Sequence, residues 1–260
     1  MHETTLGMMV LKLRPILAPL LVILVAQVTF ITTAHAKETL SVLSLNVAGL
    51  PEIFTDQDSP EARMLSISQR AKDWDLVAYQ EDFAFSEWLD DQDEFETVLR
   101  GTKFHALALV CPWLRKSGLT LKTNLPTSNT QFHKYNKCTG YFGKGSDCWV
   151  SKGFLCTRVL TPKGLLIDFC TTHMNAGNDV KSHRARRSQI RQYQAGIPPF
   201  VTDQPWIRIE TGDYNLRTIN ADIEPLLKGR SVVVANDTGL GKNVDYITVL
   251  TNGLVKVTLK

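Results

Sequence analysis

The sequence carries little net charge. Lysine and arginine number 29 against 26 aspartates and glutamates, which leaves +3 over 260 residues. So small a surplus gives no electrostatic case for nucleic acid or an anionic membrane, since both attractions rest on many basic groups acting together. No internal repeat or low-complexity segment is present, which excludes solenoid arrays. No cysteine and histidine spacing matches a zinc site. What is there is 43% hydrophobic and 21% charged, enough for one sizeable globular domain.

The first 36 residues read as a secretory leader. Lys12 and Arg14 precede an apolar run from Ile16 to Phe30, and Ala34-His35-Ala36 forms an A-x-A cleavage site ahead of Lys37. The run approaches membrane-spanning length, but Pro15, Pro19 and the A-x-A site favour cleavage over an anchor. Residues 37–260 are then the functional domain, with a charge of +2 once Glu3, Lys12 and Arg14 are gone. Five cysteines remain in a chain expected to be exported, so pairing is expected. Cys138 and Cys148 flank a Gly-rich loop and form the first candidate pair. Cys156 and Cys170 lie on two strand-like runs joined by Thr161-Pro162-Lys163-Gly164. A hairpin centred on Lys163 sets Cys156 opposite Cys170 and Arg158 opposite Asp168, allowing a disulfide and a cross-strand ion pair. Cys111 is left over.

Strand patterns recur along this domain and end in polar residues. Leu40 to Val47 alternates strongly. Ser59 to Lys72 reads as a helix capped by Ser59, with Pro60 in its first turn. Trp74 to Glu81 is a second buried strand. Glu87 to Leu99 reads as an acidic helix with a solvated face, Ser117 to Leu121 as a strand, and Ser182 to Gln194 as a basic outer helix. In Pro205 to Leu216, Ile207 and Ile209 alternate with Arg208 and Glu210, the pattern of a strand with one buried face. Gly212 ends that run, and Asp213 and Asn215 follow. Ser231 to Val234, Val244 to Val249 and Leu254 to Leu259 are further strands. Helices alternating with strands define an α/β layer protein.

Asn46, Glu81, His173 with Asn175, and Asp213 with Asn215 therefore stand at strand ends, and Asp245 inside a further strand. Individually each has a structural explanation, because Asp and Asn after Gly usually mark turns. Together they suit a hard divalent cation and a phosphate. Glu81 offers a carboxylate, Asn46 a neutral oxygen, and His173 a group titrating near neutrality.

This ordered set resembles the endonuclease/exonuclease/phosphatase superfamily over Leu40 to Val249. L-S-L-N-V carries Asn46, L-V-A-Y-Q-E carries Glu81, T-T-H-M-N-A carries His173, T-G-D-Y-N carries Asp213 and Asn215, and V-D-Y-I carries Asp245. S-D-C-W-V-S-K-G-F, together with N-V-A-G-L-P and the Arg-rich helix, is similar to the secreted neutral sphingomyelinase-type branch. The resemblance implies an α/β fold, a sandwich of two mixed sheets flanked by helices. It implies metal ligation by Glu81 and Asn46, with Mg²⁺, or Mn²⁺ in its place. His173 would protonate the leaving group or hold the phosphate, Asp213 and Asn215 would orient water and phosphate, and Asp245 would orient a second histidine. Asp147 and Lys152 would fall in a substrate-side loop. The implied protein is a secreted monomer that hydrolyses sphingomyelin or a related phospholipid at a membrane surface. A secreted nuclease and a non-catalytic headgroup-binding protein are the alternatives.

One motif of the resemblance is missing. The family's S-D-H histidine has no counterpart after Tyr246. Either the chain stops before the motif, with Leu254 to Leu259 as the strand preceding it, or Thr251-Asn252-Gly253 is its degenerate remnant. The short spacing from Asp245 to Thr251 favours the first. With one member of an interdependent acid/base set gone, activity is expected to be impaired.

Overall fold

The computed structural model describes residues 23–32, 35–50, 59–102, 116–140, 147–217, 221–234 and 244–259. Cys111 lies outside them. Two six-stranded mixed sheets stack face to face. The first contains β1 (Ile23–Thr32), β2 (His35–Asn46), β3 (Leu76–Asp82), β4 (Thr97–Thr102), β5 (Lys116–Thr123) and β12 (Val255–Leu259), ordered β12-β1-β2-β3-β5-β4. The second contains β6 (Thr127–Lys134), β7 (Gly153–Leu160), β8 (Leu166–His173), β9 (Trp206–Asp213), β10 (Ser231–Val234) and β11 (Asp245–Thr251), ordered β10-β11-β9-β8-β7-β6. Helices α1 (Pro60–Ala71) and α3 (Val180–Gly196) and the short α2 (Ser86–Leu89) and α4 (Glu224–Leu227) complete it. The expected two-sheet α/β sandwich is the observed fold.

Alternation along the strands divides the interior into three apolar layers. Val42, Leu76, Ala78, Leu119 and Leu121 of the first sheet meet Leu155, Ile167, Phe169, Ile207, Ile209 and Ile247 of the second. The other face of the first sheet, with Leu43, Leu45, Val77 and Tyr79, packs on Met64, Ile67 and Ala71 of α1. The other face of the second, with Phe154, Tyr214 and Tyr246, packs on Ile190 and Tyr193 of α3 and Leu226 of α4.

Each sheet has one parallel pair among the described strands, β2 with β3 and β8 with β9. The chain crosses between the members of each pair through a helix, α1 or α3, as parallel connection requires. Polar groups at the carboxyl ends of parallel strands are the usual ligand-facing groups of α/β sheets. Here both pairs deliver those ends to one side of the sandwich.

The cysteine hairpin has the expected register. Cys156 pairs with Cys170 and Arg158 with Asp168, the cysteines are bridged, and Arg158 Nε lies 2.8 Å from Asp168 Oδ1. Cys138 and Cys148 are also bridged.

Four local expectations need correction. The acidic helix is only Ser86–Leu89, and its second half is turn followed by β4. Asp91, Glu94 and Glu96 stay exposed as expected, but two carboxylates are recruited into the protein: Lys122, fully buried, ion-pairs with both Asp90 and Asp93, and Arg100 also binds Asp90. Ser59 makes no side-chain cap and has φ 49°, so the start of α1 rests on Pro60. The basic helix starts at Val180, before the expected Ser182, because Asp179 caps it by accepting from the Lys181 and Ser182 amides. β9 is buried on both faces: Glu210 binds Arg230 at 2.5 Å, and Arg208 lies over the Trp206 and Phe200 rings. Charged residues alternating with apolar ones were compatible with an open face, but mutual pairing lets them be covered.

Ile23–Thr32, inside the expected leader, is placed as β1 between β2 and β12. Cleavage before Lys37 would remove that strand and the first two residues of β2.

Candidate active site

The inner face of the sandwich turns polar at the end where β2, β3, β8 and β9 finish. Along β2, Val42, Ser44 and Asn46 share the inner face. Along β8, Ile167, Phe169, Thr171 and His173 do, and along β9, Ile207, Ile209, Thr211 and Asp213, as the two-residue period requires. The site is the mouth of the inter-sheet core. Gln80 ties the sheets together beneath it by donating to Thr171 Oγ1 at 2.9 Å.

Glu81 breaks the period. Alternation would put it with Tyr79 on the outer face, but its φ is 59° and the register with β5 shifts between Tyr79 and Asp82. This bulge re-aims the carboxylate inward. Buried Asp82 anchors the far side, accepting from Thr120 Oγ1 at 2.6 Å and Arg100 Nε at 3.2 Å. Gly49 donates to the Glu81 carbonyl at 2.9 Å, and a Cβ there would meet that oxygen at 2.6 Å.

Gly212 has an equally specific reason. Its φ is 140°, and a Cβ would stand 2.1 Å from the Thr172 carbonyl oxygen. The glycine does not end β9. It lets β9 lie close enough to β8 for Asp213 to come beside His173, its register partner.

The side chains converge. Asn46 Nδ2 donates to Glu81 Oε1 at 2.9 Å and Asp213 Oδ2 at 3.2 Å. Its carbonyl oxygen accepts from the Ala48 amide, so the expected ligand oxygen faces the backbone and the nitrogen faces the carboxylates. His173 Nε2 lies 3.5 Å from Asp213 Oδ2 and 3.9 Å from Glu81 Oε1. Glu81, His173 and Asp213 each present a ligand atom within 4.8 Å of the others. Asp245 is the register partner of Asp213 on its other side, and its Oδ1 is shielded from solvent without a protein partner.

Burial governs the protonation states. Asp213 is pushed up to about 6, chiefly by burial with Glu81 adding, against Lys152 and its hydrogen bonds. Asp245 is pushed well above the usual carboxylate range by burial, then by Asp213 and Glu81. Two carboxylates beside a shielded oxygen with no donor are a donor set short of positive charge, which fits a hard cation.

His173 is buried and held well below its ordinary value, first by desolvation and then by Lys152. Lys152 Nζ lies 2.9 Å from His173 Nε2 and donates to the Met174 carbonyl at 3.0 Å. With Nε2 accepting from the ammonium, the neutral ring carries its proton on Nδ1. Lys152 is itself ion-paired with Asp147, whose Oδ2 accepts from the Ala176 amide at 2.7 Å. The loop residues expected on the substrate side thus reach the centre. Asn215, at φ 51°, turns its Nδ2 to the Met174 carbonyl at 3.0 Å, and its amide braces Asp213 Oδ1 at 2.9 Å.

Thr251-Asn252-Gly253 lies elsewhere. β11 runs antiparallel to β9, so Thr251 stands opposite Ile207, some six residues from Asp245, or roughly 20 Å along a strand. There Asn252 bonds the Val201 and Gln204 carbonyls. It supplies nothing to the site. β12 then joins the first sheet and, being antiparallel to β1, runs back toward the site end.

Arg186 and Gln189, which hold the turn after His173 (Arg186 Nη1 to the Asn175 and Gly177 carbonyls, Gln189 Oε1 to the Asn175 amide), were not apparent in the sequence reading. A signal existed: Ser182, Ala185, Arg186, Gln189, Ile190 and Tyr193 fall on one helical stripe, and all are buried.

Fold and site together define a two-sheet α/β sandwich with its polar centre at the carboxyl ends of the parallel pairs. Among solved structures the chain is similar to beta toxin from Staphylococcus aureus with bound magnesium ions (17% identity, 81% of this chain and 83% of that one, TM-score 0.64). It is similar to sphingomyelinase C from Streptomyces griseocarneus (18%, 81% and 83%, 0.61). It also resembles D. rerio TDP2 complexed with a single-strand DNA product (16%, 82% and 84%, 0.56). At these identities the likeness is one of fold. No family model and no curated protein sequence matches the chain.

Proposed function

We propose that this chain is a metal-dependent phosphodiesterase acting on sphingomyelin or a related phospholipid outside the cell. The observation that carries the reading is the convergence of Glu81, His173 and Asp213 within 4.8 Å, with Asn46 bridging the two carboxylates. Glu81 and Asp213 would hold Mg²⁺, with Mn²⁺ as substitute, and Asn46 could add its oxygen if the amide turns over. The metal would polarise the phosphoryl group and stabilise charge on the leaving oxygen.

The chain's own residues do the rest. Asp213, fixed by Asn46 and the Asn215 amide, orients the attacking water. Lys152 brings a positive charge against His173, whose ring is neutral near pH 7 and accepts from the ammonium at Nε2, so the pair would hold a phosphate or leaving oxygen through the ammonium's remaining hydrogens. Asp147 holds Lys152 in place. Two disulfides among the described residues support an oxidising, extracellular setting. The magnesium-bound beta toxin supports the metal, and the sphingomyelinase, at a TM-score of 0.61, supports the lipid substrate over DNA, represented by TDP2 at 0.56.

The test is choline-phosphate release from sphingomyelin under magnesium titration, beside a plasmid-cleavage control. Metal-dependent release that Glu81→Ala lowers by at least about a hundredfold supports the reading. Plasmid cleavage without lipid hydrolysis would make it a nuclease, and headgroup binding with no turnover would sink the enzymatic reading.

A further inference from the structure

The four residues after His173 form a turn, Met174–Gly177, held by side chains from three directions. The Met174 carbonyl accepts from Lys152 Nζ and Asn215 Nδ2, both at 3.0 Å. The Asn175 amide donates to Gln189 Oε1 at 2.9 Å and the Ala176 amide to Asp147 Oδ2 at 2.7 Å. The carbonyls of Asn175 and Gly177 both accept from one atom, Arg186 Nη1, at 2.6 and 2.7 Å.

Arg186 is fully buried on the inner stripe of α3. The stripe also carries Ser182, Ala185, Gln189, Ile190 and Tyr193, none of them charged, and an apolar residue of similar volume would fill the space without burying a charge. Arg186 Nη1 bonds only the Met174–Gly177 turn, the one that links His173 to the groups around it, while Nη2 lies 3.3 Å from His183 Nδ1 on the same helix.

We propose that Arg186 is a positioning residue of the phosphodiester site. It fixes the Met174–Gly177 turn, and the Met174 carbonyl in turn sets Lys152 and Asn215 beside His173 and Asp213. Its effect on hydrolysis rests on the phosphodiesterase reading, whereas its effect on the turn does not. Misplacement of catalytic groups by about 1 Å costs on the order of a hundredfold in rate, so a small relaxation of this turn is enough to matter.

The test compares full-length wild type with Arg186→Met, Arg186→Lys and the exposed control Arg184→Met. Amide hydrogen exchange is read first. In Arg186→Met, exchange at Asn175 and Ala176 should rise by about tenfold or more while Phe169 and Ile209 stay protected, the signature of local opening. Arg186→Lys, able to replace only part of the pair of bonds, should fall between, and Arg184→Met should match wild type. Unchanged turn amides overturn the proposal, and so does equal loss of protection in the core strands, which would make Arg186 a general support. Hydrolysis is read second: kcat should fall roughly 10- to 100-fold in Arg186→Met with KM within about twofold, and partly recover in Arg186→Lys. A raised KM with kcat intact overturns the positioning role. If wild type cleaves no phosphodiester, the phosphodiesterase reading fails, while the exchange pattern still decides whether Arg186 fixes the turn.

Discussion

At the scale of single residues, two buried charges show how environment sets behaviour. Lys122 has no solvent contact; it donates to the Leu89 carbonyl at 2.7 Å, pairs with Asp90 and Asp93, and lies over the Tyr79 ring. Lys122→Met should cost about 3–5 kcal/mol, because Asp93 would be left buried and uncompensated. Urea denaturation measures this, and adding Asp93→Asn should return part of the loss. Asp213 shows how burial links stability to pH. Its folded value of about 6 lies above that of an unfolded aspartate. In metal-free protein its contribution to stability is therefore fully present below about pH 4 and is lost as pH rises through about 6. A cation needs the carboxylate form, so apparent Mg²⁺ affinity should weaken as pH falls below about 6. Calorimetric Mg²⁺ titrations between pH 5 and 8 would show that trend, and a flat profile would remove Asp213 from the metal set.

At the scale of elements, the site depends on how closely neighbouring strands can lie. β8 and β9 are parallel, and at the register pair Thr172 and Gly212 there is no room for a side chain. Gly212→Ala should push the end of β9 away from β8, carrying Asp213 from His173. Activity should drop by roughly a hundredfold or more, and stability should fall by about 1–3 kcal/mol from strain at the positive φ. Metal-dependent turnover and thermal melting measure the two effects separately. The hairpin of β7 and β8 is an element of another kind: the Lys163 turn sets its register, and the Arg158–Asp168 and Cys156–Cys170 pairs follow from the spacing alone.

At the scale of the whole molecule, the centre exists only because two sheets meet. Asn46 and Glu81 come from the first sheet, His173, Asp213 and Asp245 from the second. A bound cation would link the sheets and stabilise the folded state by mass action. Magnesium at a hundredfold over its dissociation constant should add about 2.7 kcal/mol, seen as a raised melting temperature in wild type and not in Glu81→Gln. An equal shift in both proteins would place the ion elsewhere.

The sequence by itself determined the strand periods and the hairpin register, because a period of two and a turn are local properties; the two-sheet class and the residues that meet at the centre were implied by the order of motifs that resembles a known superfamily. Tertiary structure decided the rest. Glu81 faces the site only through a bulge that sequence alternation contradicts. Asp90 and Asp93 became ion-pair partners, Asp93 a buried one, because Lys122 arrives from another strand. Arg186 looked like one more cation on a basic helix until packing turned it onto the Met174–Gly177 turn. His173 kept its place but not its expected protonation, since burial and Lys152 act on it through space, and no local pattern records what will lie 2.9 Å away.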